Sequence, residues 1–198
     1  GSGTKSQPRS KQLQEFYREK GNSVATTAHF RCTDLGNAER LIARHGRDLL
    51  FCNPWSKWLV WDGKRWEIDN TQQVRQWARE TVRAIYADAE ELSAQAKNTL
   101  SEEERLKLAG QAGTLLQHAT KSEAEIRINA MIHNAQMDVP VLPKQFDTNP
   151  WLLTVSNGTL DLKTGELRSH NREDLLTKSI PLSITRTLLH RHGKSSCA

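Results

Sequence analysis

Cysteine is scarce in this 198-residue chain: Cys32, Cys52 and Cys197 are the only three. They form no Cys-x-x-Cys pair and leave an odd thiol, which argues against a disulfide framework or a zinc ribbon and for a reducing, cytoplasmic setting. No apolar run approaches the roughly 18 residues of a membrane-crossing helix, and no signal-peptide pattern stands ahead of the fold, so no membrane partner is expected. Clustered carboxylates for two-metal phosphoryl chemistry are also missing, since "TLDLKTG" offers one aspartate, Asp161, between two leucines. "HGKSS" at 192–196 ends like a phosphate loop, but Leu188 stands where the first glycine belongs, and the strand and helix of such a loop are lacking. His29 and Cys32 have ligand-like spacing with no second pair nearby, and read as an ordinary His and Cys. Catalytic, cofactor and metal residues are therefore expected to be none, and the chain is not expected to be an enzyme by itself.

Hydrophobic residues make up 36%, enough for a real core. The balance of 28 Lys and Arg against 23 Asp and Glu gives +5, which permits a nucleic-acid partner without the charge of a histone-like binder. Residues 1–28 begin with Gly-Ser-Gly, which looks like a cloning remnant, and are expected to be disordered, or partly helical around 12–20. Thr33 or Asp34 can then cap a short helix carrying Ala38, Leu41, Ile42 and His45 on one face and ending at Gly46. "DLLFC" and "KWLVWDGKRWEID" read as strands, the latter turning at Asp62-Gly63.

From about residue 72 to 137 the period becomes helical. Val74, Trp77, Thr81, Ile85 and Leu92 share one stripe, Ser101 and Glu104 have capping-box spacing, and Ile128, Met131, Ile132 and Ala135 fall together. After Pro140 and Pro143, "WLLTVSNGTLDLKTGELRSH" returns to strands, with turns at Asn157-Gly158 and at Lys163-Thr164-Gly165. The pattern predicts an α+β domain over 29–182: a central three-helix bundle flanked by small antiparallel β-hairpins. Residues 183–198 read as an unstructured tail.

Trp55, Trp58, Trp61 and Trp66 sit among Lys57, Lys64 and Arg65. Such rings can stack bases while the cations meet phosphates, or they can form the core that a small sheet needs. Trp55 and Trp58 are the candidates for stacking, whereas Trp61 and Trp66 flank the turn and suit a shared core. "TDLGNAER" can be a helix cap with Gly36 allowing close backbone approach, or an anion-binding helix start with Arg40 beside it. The nucleic-acid candidates are Arg40, Trp55, Lys57, Trp58, Lys64 and Arg65.

"TDLGNAERL", "WLVWDGKRWEID" and "NPWLLTVSNGTLDLKTGELRSHNREDLLTK", in that order, resemble the D5-like N-terminal region of phage and plasmid primase-helicases, the P4-type primase family. The resemblance implies an accessory region between a primase domain and a superfamily 3 helicase that forms rings on DNA. Its expected role is to couple the two and help engage single-stranded or forked DNA in a bacterial host. Primase and helicase modules are its implied partners, a homo-oligomer is open, and neither catalytic module is expected in this chain. A stand-alone interaction or regulatory module, or a prophage remnant without function, is the competing reading. The ending "SITRTLLHRHGKSSCA" departs from the family's "YDPxAxxPxWxxFL" continuation. One back-translation of "TRTLLHRHGKSSCA", read from the third base, gives "PDAAAPAWEKFLR", so a shifted reading frame is expected there.

Overall fold

The computed structural model describes residues 30–185. The expected helix at 12–20, His29, the sequence at 192–196 and the tail from 186 lie outside the described residues. The described residues divide into two compact units interleaved in sequence: a helical unit of residues 30–51 and 69–140, and a β unit of residues 52–68 and 141–185. The expected α+β composition holds, with packed helices and small antiparallel hairpins.

In the helical unit, α1 (Asp34–His45) opens at Thr33, whose hydroxyl accepts the Gly36 amide at 3.1 Å, and closes at Gly46. Gly36 is required by proximity, because a Cβ there would stand 2.0 Å from the Arg31 carbonyl oxygen. The long α2 (Gln73–Asn98) buries Val74, Ala78, Thr81, Val82, Ile85, Ala89, Leu92 and Ala96. Its first turn is capped from outside: the Asp69 carboxylate accepts the Gln73 amide at 2.8 Å and the Val74 amide at 3.0 Å. A carboxylate at that end also matches the positive pole of the helix dipole.

Ser101 caps α3 (Glu102–Ser122) through the Glu104 amide. Ile85, Ala89 and Leu92 of α2 pack on Ala112, Leu115 and Ala119 of α3, and the Tyr86 hydroxyl donates to Thr120 at 3.2 Å. After a break at Glu123 and Ala124, α4 (Glu125–Ala135) buries Ile128, Met131 and Ala135, three of the four residues its spacing predicts. The unit also holds most of β1 (Leu49–Cys52), where the Phe51 amide donates to the Val139 carbonyl at 2.7 Å, just ahead of β4 (Pro140–Val141).

A network of polar groups lies inside this unit. Asn37, Arg40, His118 and Ser122 are all buried. Asn37 donates to the Ser122 hydroxyl at 2.9 Å, and its carbonyl oxygen lies 2.8 Å from His118 Nε2 and 3.3 Å from Arg40 Nη1. Arg40 also donates to the Arg31 carbonyl at 2.9 Å and the Phe30 carbonyl at 3.2 Å, which ties the approach segment to α1. Buried polar groups cost stability unless paired, and these pair with one another or with backbone carbonyls, Arg40 Nε excepted.

The β unit contains β2 (Lys57–Trp61), β3 (Trp66–Ile68), β5 (Leu152–Val155), β6 (Gly158–Asp161), β7 (Leu167–Arg168) and β8 (Ser179–Ile180). Antiparallel β2 and β3 set Trp61 opposite Trp66, while β5, β6 and β7 form a meander and β8 pairs parallel to β5. The β2–β3 and β6–β7 hairpins turn on the same device. Asp62 accepts the Lys64 and Arg65 amides at 2.7 and 2.8 Å, and Asp161 accepts those of Lys163 and Thr164 at 2.8 and 3.3 Å. Gly63 and Gly165 supply the left-handed φ of 97° and 71°. The sequence "NG" behaves differently from a mirror-image turn: Ser156 and Asn157 form the tip without positive φ, and Gly158 sits in β6. A Cβ at Gly158 would stand 2.5 Å from the Arg168 carbonyl oxygen, so close strand approach fixes that residue. Asn157 pairs through its side chain with both backbone groups of Ile184, two residues beyond the expected boundary at 182.

Candidate nucleic-acid interface

Of the six residues singled out from sequence, Arg40 belongs to the helical unit and Trp55, Lys57, Trp58, Lys64 and Arg65 to the β unit. Arg40 is 2% exposed and its guanidinium is engaged by internal carbonyls, with burial lowering its pKa. Its role is therefore to brace α1, and the cap reading of "TDLGNAER" describes that helix start. Asp34 in the same first turn is ion-paired with Arg127 at 3.0 Å.

Trp55 ends a single 3-10 turn, Asn53–Trp55, that leads into β2 through Ser56 in the left-handed region. Its indole is 43% exposed, and one face lies parallel to the Phe146 ring at 5.8 Å between centroids, 11° between planes. Phe146 is 9% exposed, so it forms a fixed floor under the indole. Lys57 is exposed two residues on, and Trp58 is half-buried in β2. Lys64 is exposed on the turn between β2 and β3, and no carboxylate among the described residues pairs with either Lys57 or Lys64. Arg65 is spent internally, donating to the Thr177 carbonyl at 3.1 Å and ion-paired with Asp62 and Glu67.

Trp61 and Trp66 form the shared core. Trp66 is 3% exposed, meets Trp61 edge-on at 5.7 Å, and donates its indole N–H to the Arg172 carbonyl at 2.9 Å. The Arg172 guanidinium lies over the Trp61 ring at 5.4 Å. Strict alternation along β2 is not observed, because Leu59 and Val60 are both buried and the strand is covered on both faces. Nearby, burial and then Lys64 lower the pKa of His170.

Phe146 and Arg172 were missed in the sequence because their partners are remote along the chain. Trp151 carried a visible signal, a bulky aromatic placed between Pro150 and an apolar strand.

Among the described residues no group of three or more His, Cys, Asp and Glu side chains could hold a metal ion, and no helix is long and apolar enough to cross a membrane. The D5 N terminal like family matches residues 38–186. The chain belongs to this family. Comparison with curated proteins returns no match. D5-like membership supports a role as an accessory N-terminal domain of phage-type primase-helicase proteins. The charge of this D5-like region is close to balanced: residues 30–185 hold 20 Lys and Arg against 21 Asp and Glu. The basic excess of the chain lies in the sequence of residues 1–29 and 186–198.

Proposed function

We propose that this D5-like domain works in phage or prophage DNA replication in the bacterial cytoplasm, coupling a primase to a superfamily 3 helicase ring and gripping single-stranded or forked DNA. The observation that carries the DNA contact is the half-exposed Trp55 indole on its Phe146 floor, with unpaired Lys57 and Lys64 in the same unit. A ring already held flat loses little freedom when a base stacks on it, and a stacked base is worth roughly 1–3 kcal/mol. Trp58, half-buried in β2, and Arg65, held by Thr177, Asp62 and Glu67, belong to the same unit. The cations are few, so stacking carries more of the affinity than the overall field.

The near-neutral charge of residues 30–185 also favours a second reading, a protein-interaction module that does not touch DNA. Salt-dependent binding separates the two. Replacing Lys57 and Lys64 together by Glu should weaken binding to an oligothymidylate and flatten the plot of log affinity against log salt by at least about 1.4, at roughly 0.7 for each phosphate no longer neutralised. If the full chain binds no single strand at low salt, the protein-interaction reading stands instead.

A further inference from the structure

We infer that Trp151 and Lys163 form a second nucleotide-binding point on the β unit, taking a base on the indole and its phosphate at the ammonium. This rests on the DNA-engaging reading above and extends it from one stacking platform to two.

Trp151 is 46% exposed, although it stands at the entrance to an apolar strand where packing would ordinarily claim an indole. The Lys163 Nζ lies 5.0 Å from its ring centroid. Both residues are pinned by their backbones at the same end of the β5–β6 hairpin, where Leu152 stands opposite Asp161. The Trp151 amide donates to Asn149 Oδ1 at 3.1 Å and its carbonyl accepts the Leu162 amide at 2.8 Å. On the other side, the Lys163 amide is fixed by Asp161 Oδ1 at 2.8 Å. The backbones that carry the ring and the cation are thus placed before any ligand arrives, and no ion pair with a carboxylate holds Lys163 among the described residues.

The chemistry that complements an apolar plane beside an unpaired ammonium is an aromatic ring bearing an anion within one residue's reach. A nucleotide is such a unit. A single strand presents them in series with its bases unpaired, whereas a duplex hides the faces of its bases. A peptide meets both demands only where an aromatic side chain and an anion happen to fall together, whereas every nucleotide of a single strand meets them.

The test is the affinity of the full chain for fluorescein-labelled oligothymidylate, with Trp151→Ala, Trp151→Phe and Lys163→Met beside Trp55→Ala. Trp151→Ala should weaken binding about tenfold, Trp151→Phe should restore most of it, and Lys163→Met should reduce the salt slope by roughly 0.7. If Trp151→Ala lowers the melting temperature, the Phe and Met variants decide alone. Loss in Trp55→Ala together with parent-like affinity and slope in all three hairpin variants overturns this inference and leaves the first platform standing. Absence of binding by the parent overturns both.

Discussion

Replacing Gly36 by alanine tests the packing of α1 through the sign of its effect. Alanine is the better helix former, and in an open helical position the exchange stabilises by roughly 0.5–1 kcal/mol. At Gly36 the new methyl would lie 2.0 Å from the Arg31 carbonyl oxygen, which is backbone and cannot swing aside. Either α1 or the segment before it must shift by more than 1 Å, a rough figure from ordinary contact distances. That shift breaks the Arg40 bonds to the Phe30 and Arg31 carbonyls and strains the Thr33 cap. Hydrogen bonds to a charged group are worth about 1.5–3 kcal/mol and a cap about 1 kcal/mol, so Gly36→Ala should destabilise by about 2–4 kcal/mol. Gly110 and Gly113 serve as internal controls, since nothing lies within 4 Å of a Cβ at either. Their alanine variants should gain about 0.5–1 kcal/mol each. Urea unfolding of the three variants measures all of this, and a Gly36→Ala protein as stable as Gly113→Ala would refute the close-approach argument.

Trp66→Ala should cost about 3–5 kcal/mol by emptying a buried site, Trp66→Phe about 1 kcal/mol through the lost bond to Arg172, and Trp61→Ala less than Trp66→Ala; equal losses at 61 and 66 in thermal melts would contradict the difference in burial. His45, stacked on Trp77 at 5.0 Å, is held by burial at a pKa of about 4, against 6.5 for an ordinary imidazole. The unfolded chain therefore binds more protons between those values, and stability should be intact above pH 6.5 and fall by at most about 3 kcal/mol on acidification toward pH 4, less where solvent screens the ring. His118 shifts the same way, through burial and then Arg40; a His45→Phe variant with the parent's full acid sensitivity would remove His45 from the explanation.

The helices were legible because their apolar residues recur at helical spacing and because Thr33, Ser101 and Gly46 mark ends locally. The hairpins were legible from Asp62-Gly63 and from the turn before Gly165, where an aspartate and a glycine are enough to bend the chain. Internal polarity was not legible. Asn37, Arg40 and His118 are residue types that ordinarily face water, and their burial depends on partners brought together only by folding. From sequence alone, Arg40 accordingly presents itself as an anion contact. For the same reason the sequence put Trp55 on the surface without its floor, since Phe146 reaches it across the fold. The outside cap of α2 escaped notice because Asp69 stands several residues ahead of the first helical turn.

Stacking of single-stranded DNA on the flat, half-exposed Trp55 indole of the β unit is decided by the affinity of the parent and Trp55→Ala for oligothymidylate across a series of salt concentrations. The indole is uncharged, so its removal should lower affinity by roughly 5- to 100-fold at every salt concentration and leave the slope unchanged. Superimposable parent and variant curves would show that no base stacks on Trp55.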